Sequence, residues 1–206
     1  CGQEKLNLKS SAAAIGNFDG VHLGHIKVIN KAKFKAKKIN LPLSILTFSP
    51  HPREYFSKKN VKFKLQTEKE KKRFLAIQDV DLMINLKFND FLSNLNPEKF
   101  IIDVLVNSLN IKHIFVGKDF RFGKNRVGDV STLKSVGSIN GLGVTDIDIK
   151  NLNGIAISST IIRENLVNGD IEKVNKALGR PYSISGIVVE GDKRGRQINF
   201  PTANIK

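Results

Sequence analysis

The feature that most restricts this chain is a repeating order of short apolar runs and helical periodicities. Residues 11–15 form a short, largely apolar run closed by Gly16 and read as a buried strand. After the turn Asn17-Phe18-Asp19-Gly20, residues 22–39 place Ile26, Ile29, Ala32 and Ala36 at helical spacing with lysines between. Residues 43–48 read as a second strand, stopped at Ser49-Pro50-His51-Pro52 because two prolines so close forbid continuation. A helix over 68–77, a strand at 81–85, a helix over 97–109 and strands at 113–116 and 144–149 follow. Strands alternating with helices imply right-handed parallel crossovers, and so an α/β sheet covered on both faces. From Ser158 the pattern changes to two short helices broken at Asn168-Gly169-Asp170, and Gly179-Arg180-Pro181 marks a boundary. Beyond it residues 182–190 alternate toward β, and Gly191-Asp192 has hairpin-turn character. The expected domains are 1–180, an α/β unit, and 181–206, the first strands of a β domain too short to be completed here.

Composition narrows the function classes. No apolar run approaches the length of a membrane span, and the opening CGQEKLNLKS lacks a signal-peptide layout. A single cysteine allows no internal disulfide, and four scattered histidines argue against a structural zinc cluster. The net charge of +15 raises nucleic acid as a partner. However, the lysines are spread along the whole chain, and stacking aromatics are thin, with no Trp and two Tyr. The reading is a soluble, cytoplasmic chain with no nucleic-acid or membrane partner, whose basic surface attracts phosphorylated substrates. Oligomeric state is not legible.

The segment richest in chemistry is Gly16-Asn17-Phe18-Asp19-Gly20-Val21-His22-Leu23-Gly24-His25, between the first strand and the first helix. An open parallel sheet binds ligands at that edge. The segment is neither a dinucleotide fingerprint nor a Walker A loop. Two histidines three residues apart share one side of the helix's first turn, where free N–H groups and the dipole favour an anion. They can donate to a polyphosphate and stabilise charge moving toward a leaving pyrophosphate. Gly24 lets a base or a phosphate approach the backbone.

His-x-Gly-His after a first strand resembles the nucleotidyltransferase superfamily that moves AMP from ATP to a phosphate acceptor. The longer string resembles the prokaryotic bifunctional riboflavin kinase/FMN adenylyltransferase family. Residues 47–52 resemble that family's loop after the second strand, and Phe48 and His51 are flavin-side candidates. Residues 116–123 with Gly128-Asp129 resemble its flavin-lining loop, which makes Asp119, Phe120, Phe122 and Asp129 candidates. Residues 157–163 resemble its second phosphate motif: one of Ser158, Ser159 and Thr160 can cap a helix while the others donate to phosphate, and Arg163 brings a planar fork.

Residues 194–204 resemble the nucleotide loop of the family's riboflavin kinase barrel, in which Thr202 and Asn204 would supply oxygens to MgATP. Asn199 stands where the family usually has glycine, and asparagine is the side chain that best tolerates a left-handed backbone. The resemblance implies a Rossmann-like nucleotidyltransferase domain followed by the start of an incomplete β-barrel. ATP, FMN and, for the full-length protein, riboflavin would be substrates, Mg²⁺ the cofactor, and His22, His25 and Arg163 the catalytic residues. Kinase activity is expected only of the full-length protein, and Phe200 and Ile205 are expected to be exposed. Alternatives are an adenylyltransferase for another phosphorylated cofactor precursor, a basic RNA-binding module on the same fold, and, from Cys1, a mature lipoprotein. A fragment of a longer cytosolic protein is preferred over the last.

Overall fold

A computed structural model describes residues 10–57, 64–148, 151–152, 155–191, 194–197, 199–200 and 202–205. Expectations resting on Cys1, Ile149 and Asp192 lie outside these residues. Strands β1 (Ser11–Ile15), β2 (Leu43–Ser49), β3 (Leu82–Lys87), β4 (Ile111–Gly117) and β5 (Gly143–Ile147) form one parallel sheet in the order β3-β2-β1-β4-β5. The central strand carries Ala12, Ala13 and Ala14, all fully buried. Small side chains there let both sheet faces be covered closely. Ala13 joins Leu46, Ile101 and Leu105 in one core, whereas Ala12 and Ala14 join Val28, Ile29 and Phe115 in the other.

Helix α1 (Leu23–Lys38) follows β1 and buries Val28, Ile29, Ala32 and Ala36, with Ile26 partly buried against the same core. Pro52 ends the β2 extension as expected but also opens a helix, α2 (Pro52–Phe56), that the prolines concealed. Helix α3 (Glu68–Ala76) is capped by Thr67, α4 (Asp90–Asn94) by Asn89, and α5 (Pro97–Lys99) by Asn96. The last continues through wider, π-wound turns over Phe100–Ser108, where Leu109 N–H reaches the Val104 carbonyl at 3.0 Å. Helix α6 (Val130–Ile139) supplies the crossover between β4 and β5.

Next come the antiparallel pair β6 (Asn151–Leu152) and β7 (Ile155–Ala156), then α7 (Ser159–Val167) and α8 (Ile171–Leu178). Ile162, Val174, Ala177 and Leu178 of α7 and α8 make a third small core with Leu65 and Ile157. Beyond Gly179 the expected β alternation over 182–190 is realised only in β8 (Val188–Val189). Strand β8 pairs antiparallel with β9 (Asn204–Ile205), and the short helix α9 (Arg194–Gln197) lies between them in sequence. Asn199 adopts φ 58°, the left-handed conformation expected of it, and Phe200 and Ile205 are exposed. Among the described residues no helix is long and apolar enough to cross a membrane.

Candidate active site

The crossovers leave β1 and β4 in opposite directions across the sheet, so the loops after these adjacent strands diverge and open a crevice at their carboxyl ends. The loop from β1 to α1 is tightly bent. Phe18, Gly20 and Val21 all have positive φ, at 48°, 86° and 38°. The Phe18 ring is withdrawn into the core and its carbonyl accepts from Gln66 Nε2 at 3.0 Å, so Phe18 shapes the loop. Asp19 is likewise buried. Its carboxylate accepts from the Leu65 N–H at 2.9 Å and pairs with Arg163. Burial raises the Asp19 carboxyl above its usual range, against the opposing pull of Arg163. Gly16 closes β1 by donating its N–H to Leu46, and the Asn17 carbonyl accepts from Thr47 Oγ1 at 3.3 Å.

His22 caps α1: its Nδ1 accepts the His25 N–H at 3.3 Å. That bond assigns the proton of a neutral His22 to Nε2, leaving one ring N–H to donate. The His22 and His25 rings stack with centroids 3.6 Å apart, and Phe18 lies 5.0 Å from His25. Burial, with the charges of Arg180 and Arg163, lowers His22 to about 4. Burial, then His22 and Lys71, holds His25 well below the usual histidine range. Both shifts favour neutral imidazoles near pH 7 over imidazolium ions. His25 Nδ1 is buried without a hydrogen-bond partner among the described residues, as is Asn17 Oδ1.

This arrangement predicts acid lability. A histidine held at about 4 when folded and 6.5 when unfolded adds stability above pH 6.5 that is lost as pH falls toward 4. The loss at about pH 5 is about 2 kcal/mol. Asp19, raised from 3.8, acts in the opposite sense as pH rises past that value. His22→Asn keeps a capping acceptor but cannot titrate, so its unfolding temperature should change less than wild type between about pH 7 and 5. Parallel thermal melts at the two pH values check this, and equal slopes would remove His22 as the cause.

The expected second phosphate motif does come to this loop. Ser158 caps α7 by accepting from Ile161 N–H at 3.2 Å. Ser159 Oγ donates to the Asp19 carbonyl at 2.9 Å, and Arg163 meets the Asp19 carboxylate. Thr160 is exposed. The three hydroxyls thus do not act alike: one caps, one ties the loops together, and one is left on the surface. His51 caps α2 by accepting from Arg53 N–H at 3.0 Å, and burial followed by the charge of Arg163 lowers it to about 4.

On the side after β4, Asp119 is exposed. The Phe120 ring lies parallel to Phe122 at 5.5 Å, and Phe122 is buried against Phe100. Phe122 and Gly128 exchange both backbone hydrogen bonds at 3.0 Å, and an added Cβ at Gly128 would lie 2.8 Å from Pro97. Asp129 caps α6 through Thr132 and pairs with Arg121. Phe122 and Asp129 therefore build the loop, and Phe120 keeps a partly exposed ring. Phe48 sits edge-on to Phe88 at 6.0 Å, with Tyr55 and Phe56 around Phe88, an aromatic cluster that the sequence did not announce. Gln66 and Lys71 were missed too; Lys71 is a nearly buried lysine paired with Glu68 at 3.1 Å. Thr202 and Asn204 are exposed on the C-terminal segment, Asn204 within β9. Among the described residues no group of three or more His, Cys, Asp or Glu is placed to hold a metal ion.

Residues 4–161 match the FAD synthetase family and residues 178–206 match the riboflavin kinase family. The bifunctional riboflavin kinase/FMN adenylyltransferase of Buchnera aphidicola subsp. Schizaphis graminum is 43% identical over 203 residues, covering 98% of this chain and 65% of the relative. The protein of the same name from Haemophilus influenzae is 42% identical, covering 97% of this chain and 65% of the relative. That from Escherichia coli is 39% identical, covering 93% and 61%. The chain thus spans 65% or less of the length of these curated relatives. A crystal structure described as a macrolide-efflux protein from Streptococcus pneumoniae superposes with a TM-score of 0.84 at 28% identity, covering 98% of this chain and 66% of that one.

Proposed function

This chain belongs to the FAD synthetase family, and from that premise we propose that it transfers AMP from ATP to FMN, giving FAD and pyrophosphate. The observation that carries the reading is the stacked His22–His25 pair at the α1 N-terminus, with Arg163 of α7 held to the same loop through Asp19. An oxygen of the FMN phosphate attacks the α-phosphorus of ATP. The bond from that phosphorus to the bridging oxygen of the β-phosphate breaks, and pyrophosphate leaves with the electron pair. No enzyme nucleophile is needed, so positioning and charge stabilisation do the work. His22 and His25 donate ring N–H groups to phosphate oxygens beside the free N–H groups of the α1 first turn. Arg163 and the α7 start face them, and Asp119, Phe120, Phe48 and His51 line the flavin side.

Mg²⁺ would neutralise phosphate charge when bound. It would be carried chiefly by the nucleotide phosphates, which suit its preference for hard oxygen ligands. We place the boundary between the two modules near Arg180. In a full-length protein the second module would phosphorylate riboflavin, with Thr202 and Asn204 at its nucleotide, and the setting would be cytoplasmic. The pneumococcal structure supports the fold, and the efflux named for it does not enter this reading. Incubation with ATP, Mg²⁺ and FMN, followed by chromatographic separation, should yield FAD and pyrophosphate in equal amounts. Unchanged FMN would refute the reading.

A further inference from the structure

The β1–α1 loop is held in its bend by a residue from far along the chain. Gly20 and Val21 follow one another at positive φ, 86° and 38°, and valine is a side chain that seldom adopts such a backbone. Their carbonyls accept from the guanidinium of Arg180, at 2.6 Å for Gly20 and 3.1 Å for Val21. The same guanidinium stacks over Phe74 of α3 at 3.8 Å. Gly179, just before it, ends α8 at φ 70° and approaches so closely that a Cβ there would lie 2.6 Å from Leu23 Cδ2. Further on, Ser185 Oγ donates to Glu70 Oε1 at 2.7 Å. The two donors of Arg180 thus fix consecutive carbonyls immediately before His22, and the ring beneath limits sliding of the fork. Arg180 lies in the stretch that matches riboflavin kinase, residues 178–206, whereas the loop lies in the FAD synthetase match.

We propose that Arg180 is a positioning residue for adenylyl transfer, reaching from the start of the second module to set the Gly20–Val21 bend that presents His22. The kinetic arm rests on the adenylyl-transfer reading; the spectroscopic arm does not. The charged and titratable groups around His22 are Arg180 after α8, Arg163 on α7, Asp19 on its own loop and His25 on α1. Arg180 itself meets the charges of Glu70 and Arg73.

The test uses Arg180→Met and Arg180→Lys in the full chain. Each is followed by thermal unfolding, by FAD formation with ATP varied, and by NMR titration of the His22 ring. The Met variant should lose about tenfold in kcat/KM, with kcat falling as well as KM rising, because a shifted phosphate loop misaligns the reacting atoms. Its His22 midpoint should rise as a nearby cation is removed. The Lys variant keeps the charge but cannot hold two carbonyls in one plane. It should keep the wild-type His22 midpoint and still lose activity. A folded Met variant with wild-type kcat and kcat/KM would overturn the proposal, whatever its His22 midpoint. If the Met variant does not fold, a folded Lys variant with wild-type kcat/KM overturns it equally. Should the wild type make no FAD, the adenylyl-transfer reading fails, and the backbone amide shifts of Val21 and His22 then decide: wild-type shifts in a folded Met or Lys variant overturn the positioning role, and displaced shifts in both support it.

Discussion

His25→Ala is expected to lower kcat for FAD formation by about 10²–10³, the cost of one transition-state donor. Charge builds on the leaving pyrophosphate as the α-phosphorus bond breaks, and a donor fixed in advance stabilises it without reorganising. His25 is fixed in three ways: it sits in the first turn of α1, its N–H is bonded to His22 Nδ1, and its ring is stacked on His22. Its buried Nδ1 has no partner among the described residues, so the ring has hydrogen-bonding capacity that the fold does not use. The neutral state of both rings makes a second expectation. If imidazolium ions bound ATP, kcat/KM would fall as pH rose past the ordinary value of 6.5. With His22 held at about 4, it should stay level from about pH 6 to 8. Steady-state kinetics of both proteins across that range test the two statements together. A folded His25→Ala protein with wild-type turnover would remove the ring from the mechanism.

The parts of the fold that the chain announces are those whose signal is local. Ala12 to Ala14 read as buried because β1 is covered on both faces, and the spacing of His22 and His25 put them together because one helical turn does so. Helix α6 carries only a thin apolar stripe, Val130, Leu133 and Val136, among serines, a threonine, a lysine and a glycine, which weakens its signal in the sequence. The tail misleads for the opposite reason. Its alternation is genuine, yet Ile184, Ile187 and Val188 are exposed, so little packing compels a strand before β8. In the site, the missing element is partnership over distance. Asp19 and Arg163 are 144 residues apart, and Gly20 and Arg180 are 160 apart. Lys71 was hidden in a run of charges that resembles a solvated surface, although it is buried and paired with Glu68.

Arg163→Met should cost about 3–5 kcal/mol of stability at neutral pH, more than any loss of a surface ion pair. Asp19 is 4% exposed, so removing its partner leaves a carboxylate in a site that already disfavours the charge. The sign with pH follows. Without Arg163 the folded-state carboxyl rises further above 3.8, so the penalty grows as pH climbs past that value and shrinks toward acid, where the group is protonated in both states. Asp19→Asn in the same background removes the stranded charge and should recover part of the loss, because an amide can still accept from the Leu65 N–H. Arg163→Lys keeps a charge but not the planar fork, so it should fall between wild type and Met in stability, and its ATP kinetics should weaken as well. Urea unfolding of wild type, Asp19→Asn, Arg163→Met and the double variant at about pH 7 and 5 gives the coupling energy directly. Additive losses from Asp19→Asn and Arg163→Met would show that the pair contributes nothing to holding α7 against the phosphate loop, and Arg163 would then be left with its role toward the nucleotide alone.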